Sequence, residues 1–165
     1  MTLVFLLKTI HILSAAVLFG TGMGIAFFMF MADRTRSAMI VARVGRMVIL
    51  ADLVFTLTAV IVQPVSGILL AKAEGFDLRS SWLIWTYGLY GLIGACWLPV
   101  LWLQMRMTEI AAAAALAEQS LPNAYRRCFQ LWFWLGWPAF AGVVAIYWLM
   151  VAKPALRLAL GHGPV

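Results

Sequence analysis

Four stretches of this chain contain no Asp, Glu, Lys or Arg: residues 9–32, 53–71, 80–105 and 128–152. The shortest is 19 residues long, and about 20 apolar residues wound as a helix cross roughly 30 Å of hydrocarbon. Only 11% of the chain is charged, against about 25% in soluble domains, which excludes a soluble globule. Four such spans consume most of the 165 residues and leave no room for a second domain of about 50 residues or more. The expected fold is therefore all-α, a single four-transmembrane-helix bundle over residues 1–165, with spans at about 3–31, 47–72, 82–105 and 129–152. Residues 1–7 lack a basic n-region, and no small-residue cleavage site follows before Asp33. They read as the start of a retained helix rather than as a signal peptide.

The net charge of +6 does not point to nucleic acid, because the basic residues lie in the connections between spans and form no continuous patch. Arg34, Arg36, Arg43 and Arg46 fall in the first connection and Arg106, Arg126 and Arg127 in the third. Lys72, Arg79, Lys153 and Arg157, joined by Lys8, fall on the other side. The excess on the first side predicts, by the positive-inside rule, a bacterial inner-membrane protein with both termini in the periplasm. Within the third connection, the alanine run at 111–115 between Glu109 and Glu118 is a strong helix former. Span three should therefore continue as helix up to the Ser120-Leu121-Pro122 break, with an Ala-rich face open to a partner.

Most of the remaining features have ordinary explanations. Trp82, Trp85, Trp102, Trp132, Trp134 and Trp148 sit where aromatic belts form. Gly20, Gly22, Gly24, Gly88, Gly91 and Gly94 suit tight helix packing within the bundle. Cys96 and Cys128 read as small apolar filler. Asp52, near Arg46, reads as one half of an ion pair or as a hydrogen-bonded structural acid. Pro64 and Pro138 each free a carbonyl about one turn earlier and make room between helices.

Lys8 and His11 are harder to explain, since ionisable groups in a membrane span cost free energy and these two share one helical face. At 1.5 Å rise per residue, His11 lies about 12 Å inward from the start of span one and Gln63 about 13 Å inward from the end of span two. Ser66, Thr86, Tyr87, Tyr90 and Tyr147 fall near the same depth. The expected binding layer comprises His11, Lys8, Gln63, Tyr87, Tyr90 and Tyr147, with His11 as metal ligand. His162, in the tail, is the only other histidine, and there is no CxxC, HExxH, Walker or GxGxxG pattern. Bis-histidine haem ligation within one subunit is therefore not expected. A haem b would need His11 together with a methionine, an open position or a second copy of the chain.

The Lys8-Thr9-Ile10-His11 segment resembles the K-x-x-H opening of HemJ-type membrane protoporphyrinogen oxidases. The exit of span two at Gly67-Ile68-Leu69-Leu70 and the Lys153-Pro154 ending are similar to theirs as well. The full chain, with Trp97-Leu98-Pro99-Val100 and Leu103-Gln104-Met105-Arg106, more closely resembles a bacterial family of predicted integral membrane proteins of the domain of unknown function 2269 type. The HemJ resemblance implies a haem- or porphyrin-binding protein, with His11 on the iron and Lys8 holding a propionate or a proton. Electron or proton transfer would then run to a quinone or oxygen. The rival expectation is a non-catalytic membrane subunit or assembly factor that uses its glycine faces to form a homo-oligomer or a larger complex.

Overall fold

A computed structural model describes residues 3–153; Pro154, Arg157 and His162 lie outside them. The described chain is helical throughout its spans: α1 Leu3–Arg34, α2 Ala38–Ala51, a π-helical turn Asp52–Thr56, α3 Leu57–Ala73, α4 Ser81–Leu116 and α5 Asn123–Ala152. The helix runs unbroken from α2 through the π turn into α3, so four helices are long and apolar enough to cross a membrane. The chain is a four-helix integral membrane domain.

The spans are longer than the charge-free stretches suggest, because charged residues sit on helix ends and not in loops. Residues 32–48, expected as a loop, contain the end of α1, a turn at 35–37 and most of α2. The turn is closed by Arg36 N–H donating to the Asp33 carbonyl at 3.0 Å, with Arg36 itself left-handed at φ 54°. Ser37 then caps α2 by accepting from the Ile40 N–H, as short hydroxyl side chains do at helix starts. The alanine run continues α4 to Leu116, as its propensity requires, and α5 begins directly after Pro122.

Packing concentrates at the two ends of the bundle. At the end carrying the first and third connections, Met29, Val41, Met107, Ala111 and Tyr125 form a dense cluster from α1, α2, α4 and α5. At the opposite end Ala71, Trp82, Leu83 and Leu149 pack with Phe76. Lys153 closes that end, its ammonium 4.3 Å from the Phe76 ring centroid, a cation–π contact.

Between the ends the helices diverge, and the π turn explains why. Its Leu57 N–H bonds back to the Asp52 carbonyl, so one residue more than an α-turn is accommodated and the faces before and after fall out of phase. Before it, α2 packs against α4; after it, α3 packs against α1. Helices α1 and α5 share no extensive packing and meet through side chains, with Phe19 stacked on Phe140 at 5.5 Å and Phe30 beside Phe133 at 6.3 Å. The result is a bundle with solid ends and a hollow middle.

Candidate functional site

The hollow is a cavity of about 540 Å³ lined from all four helices, within the range of small-molecule sites. Its walls are almost wholly apolar and aromatic. Gly22, Gly94 and Gly136 lie on them, and a Cβ added at any of the three would meet nothing within 4 Å. These glycines create volume. A Cβ added at Gly20, Gly24, Gly88 or Gly91 likewise meets nothing within 4 Å, although none of these four lines the cavity, which corrects the expectation that they serve tight packing within the bundle. Close approach occurs elsewhere: a Cβ added at Gly45 would collide with the Thr108 side chain, one at Gly142 would lie 2.9 Å from Ile93, and one at Gly67 2.9 Å from the His11 ring. The lining residues Met23 and Phe27 of α1 and Trp137 of α5 are also exposed on the outer surface of the bundle.

Polar groups gather where the π turn meets α4 and α5. Asp52 is 3% exposed, Thr56 5% and Gln104 1%. With its amide oriented to satisfy its neighbours, Gln104 donates to Asp52 Oδ2 at 2.8 Å and accepts from Trp132 Nε1 at 3.3 Å. Thr56 and Trp97 stand beside the same carboxylate, yet Thr56 Oγ1 and Trp97 Nε1 complete no hydrogen bond. Asp52, Thr56, Trp97, Gln104 and Trp132 all line the cavity. The expected Asp52 ion pair with Arg46 does not form: the Arg46 Nε donates to the Ala42 carbonyl of its own helix. Trp132, expected in an aromatic belt, is buried in this cluster, and Trp82 is buried at the opposite end.

The expected binding layer is divided. His11 is joined to α3: its Nδ1 lies 3.0 Å from Ser66 Oγ and its Nε2 3.5 Å from Gln63 Nε2. Ser14 donates to the Gln63 Oε1, and Ser66 also donates to the Val62 carbonyl at 2.7 Å. Lys8 pairs with Glu74 at 2.6 Å at the helix ends. The hydrogen bond from Lys8 is the main reason the Glu74 carboxyl is held below its ordinary range. Tyr90 lines the cavity and donates to the Val60 carbonyl at 2.5 Å. Thr86 is tied to its own helix, donating to the Trp82 carbonyl. Tyr87 is exposed, and Tyr147 packs edge-on against Phe19 outside the cavity lining.

This donor set does not suit a haem held in the cavity on His11. The lining contains no histidine or cysteine, His11 is turned toward Ser66 and Gln63, and Lys8 is engaged by Glu74. Of the two expectations for Asp52, the hydrogen-bonded acid is the one the structure shows; what sequence reasoning missed is its partners, Gln104, Trp97 and Thr56. A lone acid one residue before the charge-free stretch 53–71, with Gln104 at the far end of another such stretch, was the available signal.

A model of predicted integral membrane proteins, DUF2269, matches residues 5–154. Comparison with curated proteins returned no match, and neither did comparison with solved structures.

Proposed function

We propose, for a chain that belongs to the DUF2269 family of predicted integral membrane proteins, that it binds a bilayer-soluble quinone in the cavity between its four helices. The observation that carries this reading is the cluster of polar side chains, Asp52, Thr56, Trp97 and Gln104, gathered at one end of an otherwise apolar cavity. The Thr56 hydroxyl and the Trp97 indole N–H stand beside the Asp52 carboxylate short of full hydrogen-bond geometry, and a planar ring bearing carbonyl oxygens offers them an alternative acceptor while the aromatic walls match its faces.

The exposed lining residues of α1 and α5 give an isoprenoid tail a way out into lipid, so entry needs no aqueous path. Asp52, held by Gln104, is the group able to keep a proton beside a ring carbonyl. In the same reading the protein sits in a bacterial inner membrane with both termini periplasmic, and the Asp52 cluster lies in the cytoplasmic half.

The test is equilibrium binding of a short-tailed ubiquinone analogue to the purified protein in lipid nanodiscs. Saturable binding that weakens by about tenfold in Trp97→Phe or Thr56→Val, the loss expected for one hydrogen bond of roughly 1.4 kcal/mol, supports it. Absence of saturable binding overturns it. So does a haem absorption band in the purified protein that His11→Ala removes, which would restore the porphyrin reading.

A further inference from the structure

A second cavity of about 540 Å³ lies at the end of the bundle carrying the first and third connections, and its character is opposite to that of the first. Arg34 and Arg36 enter it from the end of α1 and the following turn, and Arg126 from the first turns of α5. Three guanidiniums face one carboxylate, Asp33. None of the three forms a salt bridge among the described residues, where the ion pairs are Lys8–Glu74 and Arg106–Glu109. The left-handed backbone of Arg36 turns the chain between α1 and α2. The Arg34 guanidinium lies 5.7 Å from the Phe30 ring centroid, a stacking that leaves its N–H edge available.

At the back of the cavity is Tyr125. Its side chain is fully buried, and its hydroxyl stands beside the Asp33 carboxylate short of full hydrogen-bond geometry. A topological bias toward positive charge accounts for arginines near a membrane surface. It does not account for three of them, without ion pairs among the described residues, around one concavity to which Ser120 and Gln130 add further polar groups. The rim also carries Leu121 and Phe129, apolar surface continuous with the membrane-spanning part of α5.

We infer that this cavity binds the phosphate headgroup of an anionic phospholipid. Arg34, Arg36 and Arg126 hold the phosphate oxygens, whose planar, multi-acceptor geometry suits guanidinium. The acyl chains follow the apolar rim into the bilayer. Basic recesses between transmembrane helices bind anionic headgroups in this manner. The inference is independent of the quinone cavity, with which this site shares no lining residue.

Native mass spectrometry of the full chain, released from detergent after exposure to phosphatidylglycerol or phosphatidylcholine, reads the site directly. One phosphatidylglycerol should be retained in preference to phosphatidylcholine. Retention should fall about fivefold for each arginine neutralised in Arg36→Gln and Arg126→Gln. The arginines are exposed, so the glutamine variants should keep the wild-type melting temperature, which separates loss of binding from loss of fold. Equal retention of both lipids, or unchanged retention in the Arg36→Gln/Arg126→Gln double variant, overturns the assignment. Displacement of the lipid by millimolar inorganic phosphate assigns the site to a soluble phosphate and overturns it as well.

Discussion

The side-chain amide of Gln104 donates to the Asp52 carboxylate across 2.8 Å, joining α4 to the π turn at the point where the bundle begins to open. Both residues are nearly inaccessible, so neither can exchange this bond for one to water. Replacing Gln104 with leucine leaves Asp52 short of its donor and Trp132 short of its acceptor. A loss of about 1–3 kcal/mol is expected, read as a lower unfolding midpoint in detergent. Asp52→Asn keeps an amide–amide hydrogen bond available and should cost less than Gln104→Leu.

His11 fills the space above Gly67, with 2.9 Å between the ring and an added Cβ. Gly67→Ala should therefore destabilise the α1–α3 contact by about 1–3 kcal/mol through overpacking. The same substitution should be better tolerated in a His11→Ala background. A double-mutant cycle on unfolding midpoints reads the coupling, expected at about 0.5 kcal/mol or more. An additive pair would show that the ring does not occupy that space.

The glycines separate into two classes that one substitution tells apart. Gly45→Ala collides with the Thr108 side chain, which itself donates to the Gln104 carbonyl at 2.8 Å, and should cost about 1–3 kcal/mol. Gly20→Ala and Gly91→Ala meet open space and should stay within about 0.5 kcal/mol of wild type. Thermal unfolding of the three variants under one detergent condition makes the comparison.

The Lys8–Glu74 pair fixes a pH dependence of known sign. Glu74 is held below its ordinary value of 4.5, chiefly by the hydrogen bond from Lys8. The pair's contribution is therefore complete above about that pH and is lost as pH falls through the lowered folded-state value. It is solvated, with Lys8 half exposed, so the contribution stays below about 1 kcal/mol. The difference in unfolding midpoint between wild type and Glu74→Gln should be present at neutral pH and vanish in acid.

The four spans were legible because the cost of charge in hydrocarbon leaves a one-dimensional trace, an interval without Asp, Glu, Lys or Arg. Helix ends at the first connection were not, because the charges at Arg34, Arg43 and Arg46 lie on helices that continue past the apolar stretch, whereas the alanine run did mark the extension of α4 past Arg106. Rise per residue correctly set Gln63 and Ser66 at the depth of His11, where the structure joins all three. Depth carries no azimuth, however, and the same arithmetic could not say that His11 turns to α3 while Tyr90 turns to the cavity. The π turn at Asp52–Thr56 left no mark in an even run of apolar residues. The phase shift it introduces between α2 and α3 was invisible for that reason. Glycine spacing likewise records that close packing is allowed and not whether a neighbour takes up the offer.

The account's central claim is that the hollow between the helices is a ligand site, and filling it is the most direct test. Gly94 lines that hollow and Gly20 does not, while neither glycine has a neighbour within 4 Å of an added Cβ. Affinity for the short-tailed ubiquinone analogue in nanodiscs should drop by about tenfold or more in Gly94→Leu and stay at the wild-type level in Gly20→Leu, with both variants melting as wild type does. Undiminished affinity in a folded Gly94→Leu protein would contradict the account.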